Sequence, residues 1–295
     1  MGRTKTLAGL MALLALGGCS SSGKKHPIRV GSKNFTEQVI LGEIIAQHLE
    51  RRLHVPVERR LNLGGTLLAH QALLSGEIDL YPEYTGTALA AILKEPASGK
   101  PDDVFARVRS RYLHDFQVEW LSPLGIDNGF AMVVRGDDAR AGNLESISDA
   151  ARAPNGWVLG VGYEFEQRPD GLPALNKTYG FRWNGRPKSM DLGLLYSALE
   201  QGQVTMIAAN ATDGLLSKLD LKALRDDKHT FPPYEVSVAV REDAMRRTMG
   251  LREALLELSG KLNNTTMQSL NYQVDGEHRP VAKVARESLD RLGLR

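Results

Sequence analysis

Apolar positions along the chain come in short bursts separated by polar, glycine-marked gaps, and the bursts alternate between two spacings. Ile28-Arg29-Val30-Gly31 has the brevity of a strand, whereas Val39, Ile40, Ile44, Ile45 and Leu49 recur on one helical face. Asn34 with Glu37 three residues on predicts a capping box at the start of that helix. Residues 55–61 predict the next strand. Gly64-Gly65-Thr66 opens a second helix, with Leu67, Leu68, Ala72 and Leu73 as its apolar face and Gly76 as its stop. A strand over 77–81 and a helix over 87–93 follow. After an irregular stretch the same rhythm resumes, with strands over 131–134, 157–161, 204–208 and 236–240. Helices are predicted over 171–179, 192–199, 251–262 and 281–292. Strands alternating with helices predict an α/β fold of parallel sheets covered by helices on both faces.

The rhythm breaks twice, near 122–130 and near 228–235, where proline and polar residues gather. The chain is therefore expected to leave one lobe and return to it. A first lobe would comprise 27–126 plus 235–295, and a second 127–234. About 270 residues are also more than one hydrophobic core usually serves. Two such lobes joined by two crossings form a cleft at the carboxyl ends of their strands, where ligands of open α/β sheets bind.

The first residues carry a different signal. Arg3 and Lys5 precede an apolar run from Leu7 to Leu16, too short for the roughly 20 residues of a membrane-spanning helix. The run ends in Leu16-Gly17-Gly18-Cys19 and then Ser20-Ser21-Ser22-Gly23, which resembles the lipobox of bacterial lipoproteins. On that reading residues 1–18 are a signal peptide, Cys19 is lipidated, and 19–26 tether the chain to a membrane at the periplasm or cell surface. The alternative is an ordinary signal peptide that contains a cysteine. Cys19 is the chain's one cysteine, which excludes an intrachain disulfide and a cysteine-based metal cluster. Of the 37 basic residues, Arg3 and Lys5 would leave with the leader, and the remaining 35 balance 35 acidic ones. A neutral chain has no global field to attract nucleic acid.

Enzymatic motifs are missing. There is no Gly-x-Ser-x-Gly elbow, no phosphate loop and no His-Glu-x-x-His. Gly160-Val161-Gly162 lacks a third glycine at dinucleotide-loop spacing. His48 and His54 are expected on a solvated surface, and the acidic pairs Asp102-Asp103, Asp137-Asp138 and Asp226-Asp227 in turns. No catalytic residue, metal or cofactor is predicted. What remains is a binding constellation, expected just after strands at the rim of the cleft: Lys33, Tyr84, Thr87, Asn128, Phe130, Arg168, Asn210, Thr212 and Tyr234. Aromatic faces attract cations. Lysine, arginine, hydroxyls and helix N-termini suit a carboxylate. Together they suit a small zwitterion with a bulky cationic head, although Tyr84 taken alone fits a core position equally well.

Gly31-Ser32-Lys33-Asn34-Phe35-Thr36-Glu37-Gln38, Gly76-Glu77-Ile78-Asp79 and Tyr81-Pro82-Glu83-Tyr84-Thr85-Gly86-Thr87 resemble the substrate-binding proteins of osmoprotectant ABC importers. These bind glycine betaine, choline, carnitine or proline betaine. The resemblance continues through Pro123-Leu124-Gly125, Arg168-Pro169-Asp170-Gly171, Thr212-Asp213-Gly214, Asp227-Lys228-His229 and Phe231-Pro232-Pro233-Tyr234. It implies a two-lobed periplasmic-binding-protein fold of type II, with two crossovers, acting as a monomer with an ABC permease and its ATPase. It also implies that Tyr84 and Tyr234 belong to a tyrosine cage for a trimethylammonium head, and that Lys33, Thr87 and Arg168 hold a carboxylate. Two cage positions depart from the pattern. Phe130 stands where the family usually has tyrosine, in Asp127-Asn128-Gly129-Phe130, and Asn210 where it usually has another. The expectation is either weak betaine binding or a retuned ligand, such as an amino-acid betaine or an amino acid, whose head hydrogen-bonds to Asn210. A ligand-sensing accessory subunit is the other reading.

Overall fold

Two five-stranded sheets organise the chain. The structure, a computed structural model, describes residues 27–294 apart from Ala97 and Asn155. The leader, Cys19 and the tether lie outside the described residues. The first sheet has the order β2-β1-β3-β10-β4, built from β1 (Ile28–Gly31), β2 (Val57–Arg60), β3 (Leu80–Tyr84), β10 (Val236–Arg241) and β4 (Val118–Trp120). The second has the order β7-β6-β8-β5-β9, from β7 (Lys188–Ser189), β6 (Leu159–Val161), β8 (Met206–Asn210), β5 (Phe130–Arg135) and β9 (Leu221–Leu224). The chain crosses to the second sheet after β4 and returns before β10, and the two crossing strands pair at Asp127 and Glu235. The fold is a mixed α/β two-lobed one.

The sheets are not all parallel. β1 pairs in parallel with β2 and β3, but β10 runs antiparallel to β3 and β4. In the second sheet β5 runs antiparallel to β8 and β9. The physical reason is the crossing itself. A strand entering from the other lobe arrives at the edge where the parallel strands end, so it must run back against them.

Helix α1 (Thr36–Leu53) forms as its apolar spacing predicts. Ile40, Leu41, Ile44, Ile45 and Leu49 are buried, and helices Leu251–Leu256, Asn264–Asp275 and Val281–Arg291 pack around it. That enclosure overturns the surface reading of His48. Its ring is buried, its Nε2 donates to the Ala254 carbonyl at 2.8 Å, and burial pushes its pKa down. The capping box is also absent: Phe35 is the N-cap, without a side-chain bond, and Glu37 turns inward.

In α2 (Thr66–Ser75) the buried residues are Thr66, Ala69, His70, Ala72 and Leu73, so Ala72 and Leu73 face inward as expected while Leu67 and Leu68 are exposed. Helical spacing admits either stripe, and the neighbouring sheet selects this one. β3 begins at Leu80 and runs through Pro82 to Tyr84, later than residues 77–81. Proline is tolerated because Leu80 is the only residue of β3 in register with β1, so Pro82 sits where the strand is paired on one side. The helix Pro101–Phe116 was not anticipated. It buries Val104, Val108 and Tyr112 four residues apart beneath an otherwise charged surface. Asp102-Asp103 and Asp137-Asp138 lie in first helical turns, where carboxylates oppose the positive end of the helix dipole.

Asp79 ties the first lobe together. Its carboxylate is fully buried, accepts from the backbone and guanidinium of Arg29 (2.8 and 2.7 Å), and pairs with Arg247 at 2.5 Å. Asp79→Ala removes the shared partner of two arginines and one backbone donor. It is expected to lower unfolding stability by about 2–3 kcal/mol, read from the shift in denaturant midpoint.

Candidate functional site

Strand direction explains how distant segments reach one place. The carboxyl ends of β1, β3, β6 and β8 share the cleft edge with the amino ends of the antiparallel strands β5 and β10. Val236 at the start of β10 is in register with Tyr84 at the end of β3, and Phe130 at the start of β5 with Asn210 at the end of β8. The expectation that every site residue follows a strand is therefore corrected: Asn128, Phe130 and Tyr234 precede or open strands. The two departures from the family pattern, Phe130 and Asn210, are direct cross-strand neighbours.

Between the lobes lies a cavity of about 230 Å³ lined by Lys33, Tyr84, Thr87, Asn128, Phe130, Arg168, Asn210 and Tyr234. Thr212 is the exception. It is fully buried behind the wall. Aromatic rings form much of the lining. Phe130 meets Tyr234 edge to face at 5.5 Å between centroids and Phe165 at 4.8 Å, and Phe35 stacks with Tyr84 at 6.1 Å. Phe35 and Phe165 both line the cavity but were not singled out from the sequence. Phe35 stands inside a quoted motif and Phe165 beside a glycine loop, so proximity to other candidates was the available signal. The two readings of Tyr84 are not alternatives, since its ring lines the cavity and also belongs to the first lobe's hydrophobic core.

The cations reach the cavity already partnered. Lys33 Nζ donates to Glu83 Oε1 at 2.5 Å and to Thr66 Oγ1 at 3.2 Å, and lies 4.9 Å from the Tyr84 ring centroid. Arg168 is buried and forks onto Asp170 through Nε and Nη2 at 3.0 and 2.5 Å. Burial opposes the Arg168 charge, but the bonds from Asp170 outweigh it and push the pKa up. The guanidinium sits 5.1 Å from the Phe130 centroid and 5.8 Å from that of Tyr234, whose hydroxyl donates to Asp170 at 2.7 Å. Across the cleft, Glu164 accepts from the Thr66 backbone N–H at the start of α2 and from its hydroxyl at 2.9 Å. Burial pushes the Glu164 carboxyl up, yet the Lys33 charge and the Thr66 bonds prevail and hold it below its usual value. Glu83, Asp170 and Glu164 thus set the positions of the predicted cations and hydroxyls.

Glu37 does the same on the other side. Its buried carboxylate accepts from the Tyr84 hydroxyl at 2.8 Å, from Asn128 Nδ2 at 2.9 Å and from the Thr212 hydroxyl. Burial pushes its pKa up, and these bonds oppose the shift. Asn128 turns its Oδ1 to the Thr212 N–H at 3.1 Å. Thr212 is therefore a structural link between lobes. Asn210 is half-buried, and its amide lies 3.4 Å from Asp213 Oδ1.

The family model for the substrate binding domain of ABC-type glycine betaine transport systems matches residues 26–291. The carnitine transport binding protein OpuCC of Listeria monocytogenes is 33% identical over 96% of this chain and 93% of its own. The ergothioneine transport permease/ergothioneine binding protein EgtU of Helicobacter pylori is 35% identical over 92% of this chain. The chain spans about half of that relative, 48% of its length. A crystal structure of a glycine betaine/carnitine/choline ABC transporter protein superposes with a TM-score of 0.75 at 29% identity, covering 90% of this chain and 99% of that one.

Burial pushes Asp213 up to about 6 from 3.8, although the Asn210 N–H and the Tyr196 hydroxyl donate to it. Between those values the native state holds a proton that the unfolded chain has released. This group's contribution to stability therefore falls as the pH rises through the window. Asp213→Asn keeps an acceptor without the charge. Relative to that variant, the parent is expected to lose about 2–3 kcal/mol between pH 4 and 7 in denaturant titrations.

Proposed function

Because the chain belongs to the family of substrate-binding domains of ABC-type glycine betaine transport systems, and is a solute-binding protein rather than an enzyme, we propose that it captures a small quaternary-ammonium zwitterion. The ligand is a glycine betaine-like osmoprotectant, held between lobes 27–126 plus 235–295 and 127–234 and passed to an ABC permease and its ATPase. The observation that carries this reading is the aromatic lining of a cavity between the two lobes, with Lys33 and Arg168 at its edge. Tyr84, Phe130 and Tyr234 offer faces to the cationic head, and Phe35 and Phe165 add aromatic surface where Asn210 leaves a gap. The ligand carboxylate takes the remaining N–H donors of Lys33 and Arg168 and the Thr87 hydroxyl. The leader supports a place outside the cytoplasm, anchored through Cys19. Among the described residues no helix is long and apolar enough to cross a membrane.

Calorimetric titration with glycine betaine, choline, carnitine and an amino-acid betaine tests the reading. At least one quaternary-ammonium ligand is expected to bind at micromolar affinity, about −8 kcal/mol. Phe130→Ala, which removes one ring face and about 2 kcal/mol at most, is expected to weaken it roughly tenfold to thirtyfold. Failure of every quaternary-ammonium ligand to bind would sink the proposal.

A further inference from the structure

A second cavity, of about 530 Å³, adjoins the first and shares Asn34, Phe35, Asp191, Leu192 and Asn210 with it. Its walls carry the carboxylates of Glu37, Asp191, Asp213 and Asp275, and the one basic side chain among its lining residues is His278. Glu37 and Asp213 are each held by several donors of the chain, whereas among the described residues the one side-chain donor to Asp275 is the Thr36 hydroxyl, at 2.6 Å. On the same wall stands Asn271, whose Nδ2 donates to the Thr212 carbonyl at 2.8 Å and whose buried Oδ1 has no donor among the described residues. A buried acceptor without a donor is disfavoured by about 1–3 kcal/mol until something supplies one.

Asn210 stands at the junction. Its short side chain stands where the two cavities meet, together with Asn34, Phe35, Asp191 and Leu192, which line both. We propose that this second cavity is a subsite for the cationic arm of an amino-acid betaine, a trimethylammonium carboxylate whose side chain ends in an amine. The proposal rests on the betaine reading of the first cavity. The quaternary head sits among the rings and the arm passes Asn210. Its ammonium then reaches the acidic wall at Asp275, the carboxylate with acceptor capacity to spare. Glycine betaine has no arm and leaves this wall to water.

Three probes that differ only in the arm separate the cases: glycine betaine, Nα-trimethyl-norleucine and Nα-trimethyl-lysine, titrated calorimetrically into the protein. The lysine derivative is expected to bind at least tenfold tighter than the norleucine derivative, whose arm lacks the terminal ammonium. Asp275→Asn is expected to erase that ratio and leave glycine betaine affinity as it was. Asn210→Tyr, which fills the junction, is expected to bring the lysine derivative down to the affinity of the norleucine derivative. If glycine betaine binds but the two armed ligands bind alike, or if Asn210→Tyr acts equally on all three, the subsite is refuted alone. If none of the three binds, the betaine reading falls and the subsite with it.

Discussion

The buried carboxylate of Glu37 is the point on which the site depends. An ionised carboxylate removed from water is unfavourable by several kcal/mol unless donors replace its hydration. Here the donors come from separate segments: Tyr84 at the end of β3, Asn128 on the crossing, and Thr212 beyond β8. Each of these bonds contributes about 0.5–1.5 kcal/mol, and more where the carboxyl is ionised, so each segment is held where Glu37 needs it. The first turn of α1 adds the positive end of its dipole to the same carboxylate. The consequence reaches the cavity directly. The Tyr84 ring is oriented by the bond at its hydroxyl, and the second lobe is linked to α1 through Thr212.

The opposite wall follows the same logic. Asp170 holds the Arg168 fork and the Tyr234 hydroxyl together, so one carboxylate fixes a guanidinium over two aromatic rings. Glu83 does this for Lys33 over Tyr84, and Glu164 reaches across the cleft to the start of α2. The cations are neutralised before any ligand arrives. The rings of Tyr84, Phe130 and Tyr234 thus lie beside cations that are themselves backed by carboxylates. Holding these groups in place beforehand reduces the ordering that binding must supply.

Some of this was legible in the residues. The spacing of Ile40, Ile44, Ile45 and Leu49 placed α1, and Gly76 and Gly180 stopped their helices in the left-handed conformation that glycine adopts readily. Lys33, Tyr84, Asn128, Phe130, Arg168, Asn210 and Tyr234 were named from motifs and do share a cavity. Other readings failed for one reason, that a local pattern does not reveal what packs against it. Leu67 and Leu68 read as an inward face and are exposed, and His48 read as surface and is enclosed by later helices. Glu37 and Asn34 matched a capping box, but the donors that draw Glu37 inward lie 47, 91 and 175 residues away along the chain.

The sequence by itself determined the alternation of strands and helices, the two breaks that make two lobes, and the kinds of groups that recur in the family's motifs. Those depend on nearest-neighbour spacing, backbone preferences and residue chemistry, all of which are local. Tertiary structure alone decided that β5 and β10 run backwards, which brings Phe130 opposite Asn210 and Tyr234 towards Tyr84 at one edge. It also decided that Lys33 and Arg168 are paired, that Thr212 stands behind the wall, and that a second acidic cavity opens past Asn210. These are relations between segments far apart in the chain. Burial and charge balance come into being only when those segments meet, and no stretch of sequence contains them.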